Sequence, residues 1–292
     1  MNKIFNSRLI IFILPVLLAG CKNEFDEAKE EEKLRIKEYI RDNNLNAEKT
    51  ESGLYYIEID SGRGPKPTDG TFISISINGA LLGDPLDPAG LDSNVTFIVG
   101  QGNNPMIAGV DEGVKLMRED GKANFIVPFE LAYYFPDAPT SNFNTYLFEI
   151  TLNEIIDDPY EWEYNRILNY IEEQEFEVEP DSTGFCFVLE DTTDGKQANL
   201  NDQVSINYKG YLLDGSVFDS TYAVYSQYNT VLDTTRLIKG FVKGLALMKE
   251  GERAIIIVPF SLGYGAKYFG AVIPSYSTLV FSVKLNSIKP TI

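Results

Sequence analysis

Residues 237–248 read Leu237-Ile238-Lys239-Gly240-Phe241-Val242-Lys243-Gly244-Leu245-Ala246-Leu247-Met248. Phe241, Leu245 and Met248 recur at i, i+4 and i+7, the spacing of one apolar helix face. The helix is short, because Glu250-Gly251 supplies a stop and Ile255 to Val258 reads as a strand. A short amphipathic helix among strand-like segments needs a concave sheet on which to bury its face. The stretch therefore predicts the centre of a small α+β domain.

Working outward, Asp202-Gln203-Val204-Ser205-Ile206-Asn207-Tyr208-Lys209-Gly210-Tyr211-Leu212 and Asp214-Gly215-Ser216-Val217-Phe218-Asp219-Ser220 lie upstream. Downstream lie Val258-Pro259-Phe260, Leu262-Gly263-Tyr264-Gly265-Ala266, Ile273-Pro274 and Leu279-Val280-Phe281-Ser282-Val283. In this order and spacing the pieces resemble the FKBP-type peptidyl-prolyl cis-trans isomerases. The resemblance implies a curled antiparallel sheet wrapped round the short helix, with an apolar pocket between them. It places Phe241 at the pocket floor, where tryptophan is common in the family, and Tyr208, Phe218, Asp219 and Tyr228 on the wall. Leu237, Ile238, Tyr264, Ile273 and Phe281 complete the lining, with phenylalanine usual in place of Tyr228. It further implies that the Ile238 N–H and the Tyr264 hydroxyl hold substrate carbonyls, while Asp219 orients the wall through Tyr208. Read without the resemblance, Tyr208, Phe218, Phe241 and Phe281 could simply be core aromatics of a β-rich domain, the less favoured reading. Asp219 discriminates, because an acid beside Phe218 in an apolar setting needs a compensating partner.

At the start of the chain, Lys3 and Arg8 precede an apolar run from Leu9 to Leu17 that is too short to span a bilayer. Residues 1–20 are expected to be a leader, and Leu18-Ala19-Gly20-Cys21 resembles a bacterial lipobox. Cys21 would then carry lipid and hold the chain on a bacterial envelope membrane, on the periplasmic or the surface side. Residues 21–47 read as a charged tether and helix in which Glu30 to Glu32 form a solvated face. A net charge of −18 argues against a nucleic-acid partner. With no histidine in the chain, histidine-dependent triads and histidine-ligated metal sites are excluded. The second cysteine, Cys186, sits in an apolar run and reads as an inert buried thiol. No cofactor and no metal are expected.

The chain also repeats itself at an offset of 131 residues. Ser74, Ile75 and Gly79 correspond to Ser205, Ile206 and Gly210. Gly109 and Gly113 correspond to Gly240 and Gly244, Ile126-Val127-Pro128-Phe129 to Ile257-Val258-Pro259-Phe260, and Tyr133 to Tyr264. A unit of that length can own a core, so two tandem FKBP-like domains are expected, at 48–157 and 181–292. A linker helix at 158–180 has Asp158 as N-cap, Pro159 at the first position, and a face of Tyr164, Ile167, Leu168 and Ile171. In the first domain Ile77 and Val110 replace the aromatics at 208 and 241. No Phe-Asp-Ser segment is matched there either, so its site is expected to be degenerate.

These readings lead to an envelope-anchored isomerase acting on X-Pro bonds of exported polypeptides. The resemblance also implies macrolide immunosuppressant ligands, and extends to the lipoprotein isomerases associated with gliding motility in Bacteroidetes. A non-catalytic proline-peptide-binding module and a holdase chaperone are the alternatives.

Overall fold

Ile255, Ile256, Ile257 and Val258 are all buried. Because side chains alternate between the two faces of a strand, an unbroken buried run means that both faces of the sheet are covered. The computed structural model shows what covers them. It describes residues 24–101, 107–132, 143–221, 227–267, 269 and 273–290, so the expected leader, Cys21 and Tyr133 lie outside the described residues.

The first unit opens with helix α1 (Glu24–Asp42), followed by β1 (Glu48–Lys49), β2 (Tyr55–Asp60), β3 (Phe72–Leu81) and β4 (Asp92–Ile98). Helix α2 (Ala108–Val114), β5 (Lys122–Val127) and β6 (Tyr146–Ile156) complete it. Its antiparallel sheet runs β1-β2-β5-β6-β3-β4. The second unit repeats the plan with α3 (Pro159–Glu173), β7 (Cys186–Asp191), β8 (Gln203–Leu212), β9 (Val217–Ser220) and β10 (Tyr228–Val231). Then come α4 (Lys239–Ala246), β11 (Arg253–Val258) and β12 (Leu279–Lys289), in the order β10-β8-β12-β11-β7 with β9 added to β8.

The expectation of a curled sheet wrapped round one helix is corrected here. Each sheet is an open path that ends in two edge strands and does not close. Its apolar side chains find cover on both faces. In the second unit Ala254, Ile256 and Val258 face α4 with Phe241, Leu245 and Phe281. Ile255, Ile257 and Val280 face α3 with Ile167, Tyr170 and Ile171. The first unit does the same, with Phe125 and Val127 against Val110 and Val114 of α2, and Ile126 and Leu147 against Ile36 of α1. A layer of helix on each face removes the need for the sheet to curl.

Helix α4 lies unusually close to its sheet. A Cβ added to Gly240 would lie 2.3 Å from Val258 Cγ1, and one added to Gly244 would lie 2.5 Å from Ile256 Cδ1. Glycine at these two positions lets the short helix press onto β11. Phe241 and Leu245 are buried within it, and Met248 is buried just beyond its end.

Helix α3 begins as expected. The Asp158 carboxylate accepts from the Tyr160 and Glu161 amides at 2.8 and 3.2 Å, and Pro159 opens the first turn. Its buried face differs from the expected one, since Leu168 is exposed while Glu163 is buried with Ile167, Tyr170 and Ile171. Glu163 Oε1 accepts from the Phe260 amide at 2.6 Å and the Thr278 hydroxyl at 2.5 Å. Glu32 is its counterpart in α1 and overturns the reading of Glu30 to Glu32 as wholly solvated. It is 4% exposed, and its Oε1 accepts from the Phe129 amide at 2.8 Å and the Thr145 hydroxyl at 2.6 Å. Each helix is therefore bonded to its own sheet at one buried carboxylate, directly after the Val-Pro turn that ends β5 or β11. No helix among the described residues is long and apolar enough to cross a membrane.

The two units also touch. Phe72 of β3 meets Tyr276 edge-on at 4.7 Å and Trp162 of α3 at 6.1 Å. The Thr96 hydroxyl of β4 donates to the Ser275 carbonyl at 2.9 Å, and both residues are buried.

Candidate functional site

Between α4 and the face of the second sheet that it covers lies a cavity of about 1040 Å³. Strand alternation points Tyr208 of β8 and Phe281 of β12 to the same side as the α4 face. Phe241 rises from α4 against them, with ring centroids 4.5 Å from Phe281 and 5.8 Å from Tyr208. Phe218 of β9 closes edge-on over Phe281 at 5.6 Å, and Tyr228 of β10 stands 6.1 Å from Tyr208. Gly210 makes room for this wall, since a Cβ there would lie 2.5 Å from the Phe218 ring.

The rim is built by the turn that leads into α4 and by the segment between β11 and β12. Ile238 precedes the helix with extended backbone, φ −62° and ψ 147°. Its carbonyl accepts from the Phe241 and Val242 amides at 3.1 Å each, while its own N–H stands outside the helix ladder, as at any helix start. Leu237 lies beside it. Opposite, Tyr264 stacks on Phe269 at 4.2 Å with ring planes 11° apart. Phe269 and Ile273 exchange backbone hydrogen bonds of 3.0 and 3.2 Å, which closes the loop carrying Ile273 into the cavity.

A single carboxylate among the described residues, Asp219, lines this apolar space, and the Tyr208 hydroxyl donates to it. Burial pushes the Tyr208 phenol well above its ordinary range, and the Asp219 hydrogen bond and charge add to the shift. Burial, followed by the Asp219 charge, raises Tyr264 as well. Both phenols therefore stay protonated and able to donate at neutral pH.

The structure brings every expected pocket residue to this cavity: Tyr208, Phe218, Asp219, Tyr228, Leu237, Ile238, Phe241, Tyr264, Ile273 and Phe281. Phe269, which the resemblance also sets on the aromatic wall, lines it too, whereas sequence reasoning missed Arg236, Lys239 and Lys267. Arg236 and Lys267 sit in turns and Lys239 at the first position of α4, where no periodicity marks which way a side chain faces. Cys186 is remote from the cavity, packed under α3, and burial pushes its thiol up to about 12.

In the first unit the equivalent positions hold Ile77, Val110 and Phe148, all packed into one continuous core. The pattern of the family described as FKBP-type peptidyl-prolyl cis-trans isomerase matches residues 64–153 and again 194–286. The chain belongs to that family.

It carries the FKBP domain twice in tandem. A peptidyl-prolyl cis-trans isomerase, FKBP10 of Bos taurus, is 29% identical over 223 residues, which is 74% of this chain and 34% of the bovine protein. The chain thus spans about a third of the length of that relative. The FK506-binding protein 1A of Aspergillus fumigatus is 44% identical over 87 residues, covering 30% of this chain and 78% of the fungal one. Among solved structures, FkpA from Escherichia coli is 32% identical, with a TM-score of 0.40, covering 45% of this chain and 61% of that one.

Proposed function

We propose that the protein is a peptidyl-prolyl cis-trans isomerase whose active site is the aromatic cavity of the second FKBP domain. The observation that carries this reading is the convergence of the expected residues on one cavity, with Asp219 bonded to Tyr208. Rotation about a peptide bond meets a barrier of about 18–20 kcal/mol because the planar amide is resonance-stabilised. The two X-Pro isomers differ by only about 0.5–1 kcal/mol, so both are populated and their exchange is slow. A catalyst has to favour the twisted amide, which has lost resonance and is less polar. A proline ring laid on Phe241 and Phe281 would put that amide in a dry aromatic space. The Ile238 N–H and the Tyr264 hydroxyl would hold the flanking carbonyls, and Asp219 would keep Tyr208 in place. No covalent step and no proton transfer is needed.

The first domain would space or recruit clients rather than turn them over, because Ile77 and Val110 remove the aromatic floor. The lipobox-like Leu18-Ala19-Gly20-Cys21 supports anchoring to a bacterial envelope membrane through Cys21, after a leader at 1–20. The proposed clients are then exported polypeptides, whose X-Pro exchange takes tens of seconds and can limit folding. The aromatic cavity is also of a size and chemistry to take a macrolide immunosuppressant.

The test is turnover of X-Pro peptides by the full chain beside Phe241→Ala. The variant should lose at least about tenfold in kcat/KM, equivalent to about 1.4 kcal/mol of transition-state preference. A well-folded wild type that turns over none of several X-Pro peptides would overturn the enzyme reading and leave a proline-binding module.

A further inference from the structure

The chain carries 43 acidic and 25 basic residues. The surface around the cavity has the opposite balance. Arg236, Lys239 and Lys267 line the aromatic cavity, and Asp219 is already engaged by Tyr208. A second recess of about 300 Å³ lies across Arg236, which belongs to both linings. It is framed by β8, β10 and β12, and holds Lys289 together with Ser205, Asn229 and Ser287 but, among the described residues, no carboxylate. The Ser205 hydroxyl is turned to Gln227 at 2.6 Å.

Among the described residues these cations outnumber the one carboxylate, Asp219, that lines the two recesses. None of the ion pairs among the described residues includes Arg236, Lys239, Lys267 or Lys289. Asp233, kept ionised by hydrogen bonds from the Thr235 amide at 2.6 Å and hydroxyl at 2.8 Å, offsets part of the Arg236 charge but lines neither recess. A cationic groove in an acidic body steers and orients an anionic ligand, because the rest of the surface repels it.

We infer that the polar recess is a subsite for a client carboxylate. Segments with Asp or Glu close to the proline bind with the ring in the aromatic cavity and the carboxylate at Arg236 and Lys289. This inference rests on reading the aromatic cavity as the proline site, and it adds a substrate class to that reading. Exposed charge pairs are individually weak, so the preference is modest and depends on salt.

Paired peptides capped at both ends, identical except for Glu or Gln at each position flanking the proline in turn, test it on the full chain. At low salt the Glu peptide should exceed its Gln partner in kcat/KM by about three- to tenfold at one position or more. The ratio should fall towards one at about 1 M salt, where the screening length is only about 3 Å. It should also fall in Arg236→Gln and Lys289→Gln, and reading a ratio within each variant cancels any general loss. Equal Glu and Gln values at every position, or a ratio that survives both substitutions, would overturn the inference. If no peptide is turned over, the isomerase reading fails separately, and the same ratio is read from fluorescence anisotropy of the labelled peptides. A Glu preference in binding then upholds the subsite, and equal binding sinks it.

Discussion

Gly244 sets how closely α4 approaches β11, and through that approach it sets the height of Phe241 in the cavity. An added Cβ would lie 2.5 Å from Ile256 Cδ1, 2.6 Å from its Cγ2 and 2.8 Å from its Cγ1, so the whole buried branched side chain, and not its tip alone, has to shift. Gly244→Ala should therefore destabilise the second domain by about 1–3 kcal/mol, the usual range for overpacking. A shift of the denaturant midpoint at unchanged slope would show it, whereas no shift would mean that the helix rides up without cost. Asp219 was legible in the sequence because a carboxylate beside Phe218 needs a partner, and Tyr208 is that partner. Glu32 and Glu163 were not. Each lies in a polar helical stretch, and only the position of a threonine more than a hundred residues away makes it a buried acceptor.

Helix α3 is bonded to the second domain at a group that titrates. Burial raises the Glu163 carboxyl to about 7, against the opposing hydrogen bonds from Thr278 and Phe260 and the charge of Arg166. With the folded value above the unfolded one, the native state binds more protons between about pH 4.5 and 7, so stability falls as pH rises through that window. At about 1.36 kcal/mol per pH unit across that window, the loss is about 3 kcal/mol by pH 8. Glu163→Gln keeps an oxygen acceptor but cannot ionise, so its unfolding free energy should fall less than the wild type's over the same range, the remaining slope coming from carboxyls that burial also raises, such as Glu32. A wild type equally stable at pH 5 and pH 8 would contradict the argument. The element itself was readable from its cap, its proline and its apolar spacing. Which residue of the spacing turns outward was not, because Leu168 and Tyr164 flank the helix's contact line and the neighbouring sheet decides between them.

At the level of the whole chain, the degenerate domain touches the loop that forms one wall of the cavity. Ser275 and Tyr276 follow Ile273 and Pro274 directly, and they meet Thr96 and Phe72 of the first domain. Tyr276 is held with φ +57°, a left-handed conformation that costs about 1–3 kcal/mol unless its surroundings impose it. Its amide donates to the Gly265 carbonyl at 2.7 Å, and its ring lies against Phe72 and Phe260. Thr96→Val leaves the buried Ser275 carbonyl without that partner, at a cost of about 1–3 kcal/mol. Combined with Phe72→Ala, it should uncouple the domains and split a shared thermal transition into two by calorimetry. A single transition at an unchanged midpoint would show that the contact carries no coupling.

The sequence alone determined the repeat, the short central helix and the residues of the aromatic cavity. Each of these rests on local periodicity, on glycine and proline at turns, or on motif order along the chain. Only the tertiary structure decided that the sheets stay open, with a helix on each face, since burial on a second face depends on where a distant helix lands. It also decided that two carboxylates in charged helices are buried acceptors, and that basic residues scattered over β12, α4 and the turns line two recesses sharing Arg236. Convergence of side chains far apart in the chain is a property of packing, and spacing along one segment carries no record of it.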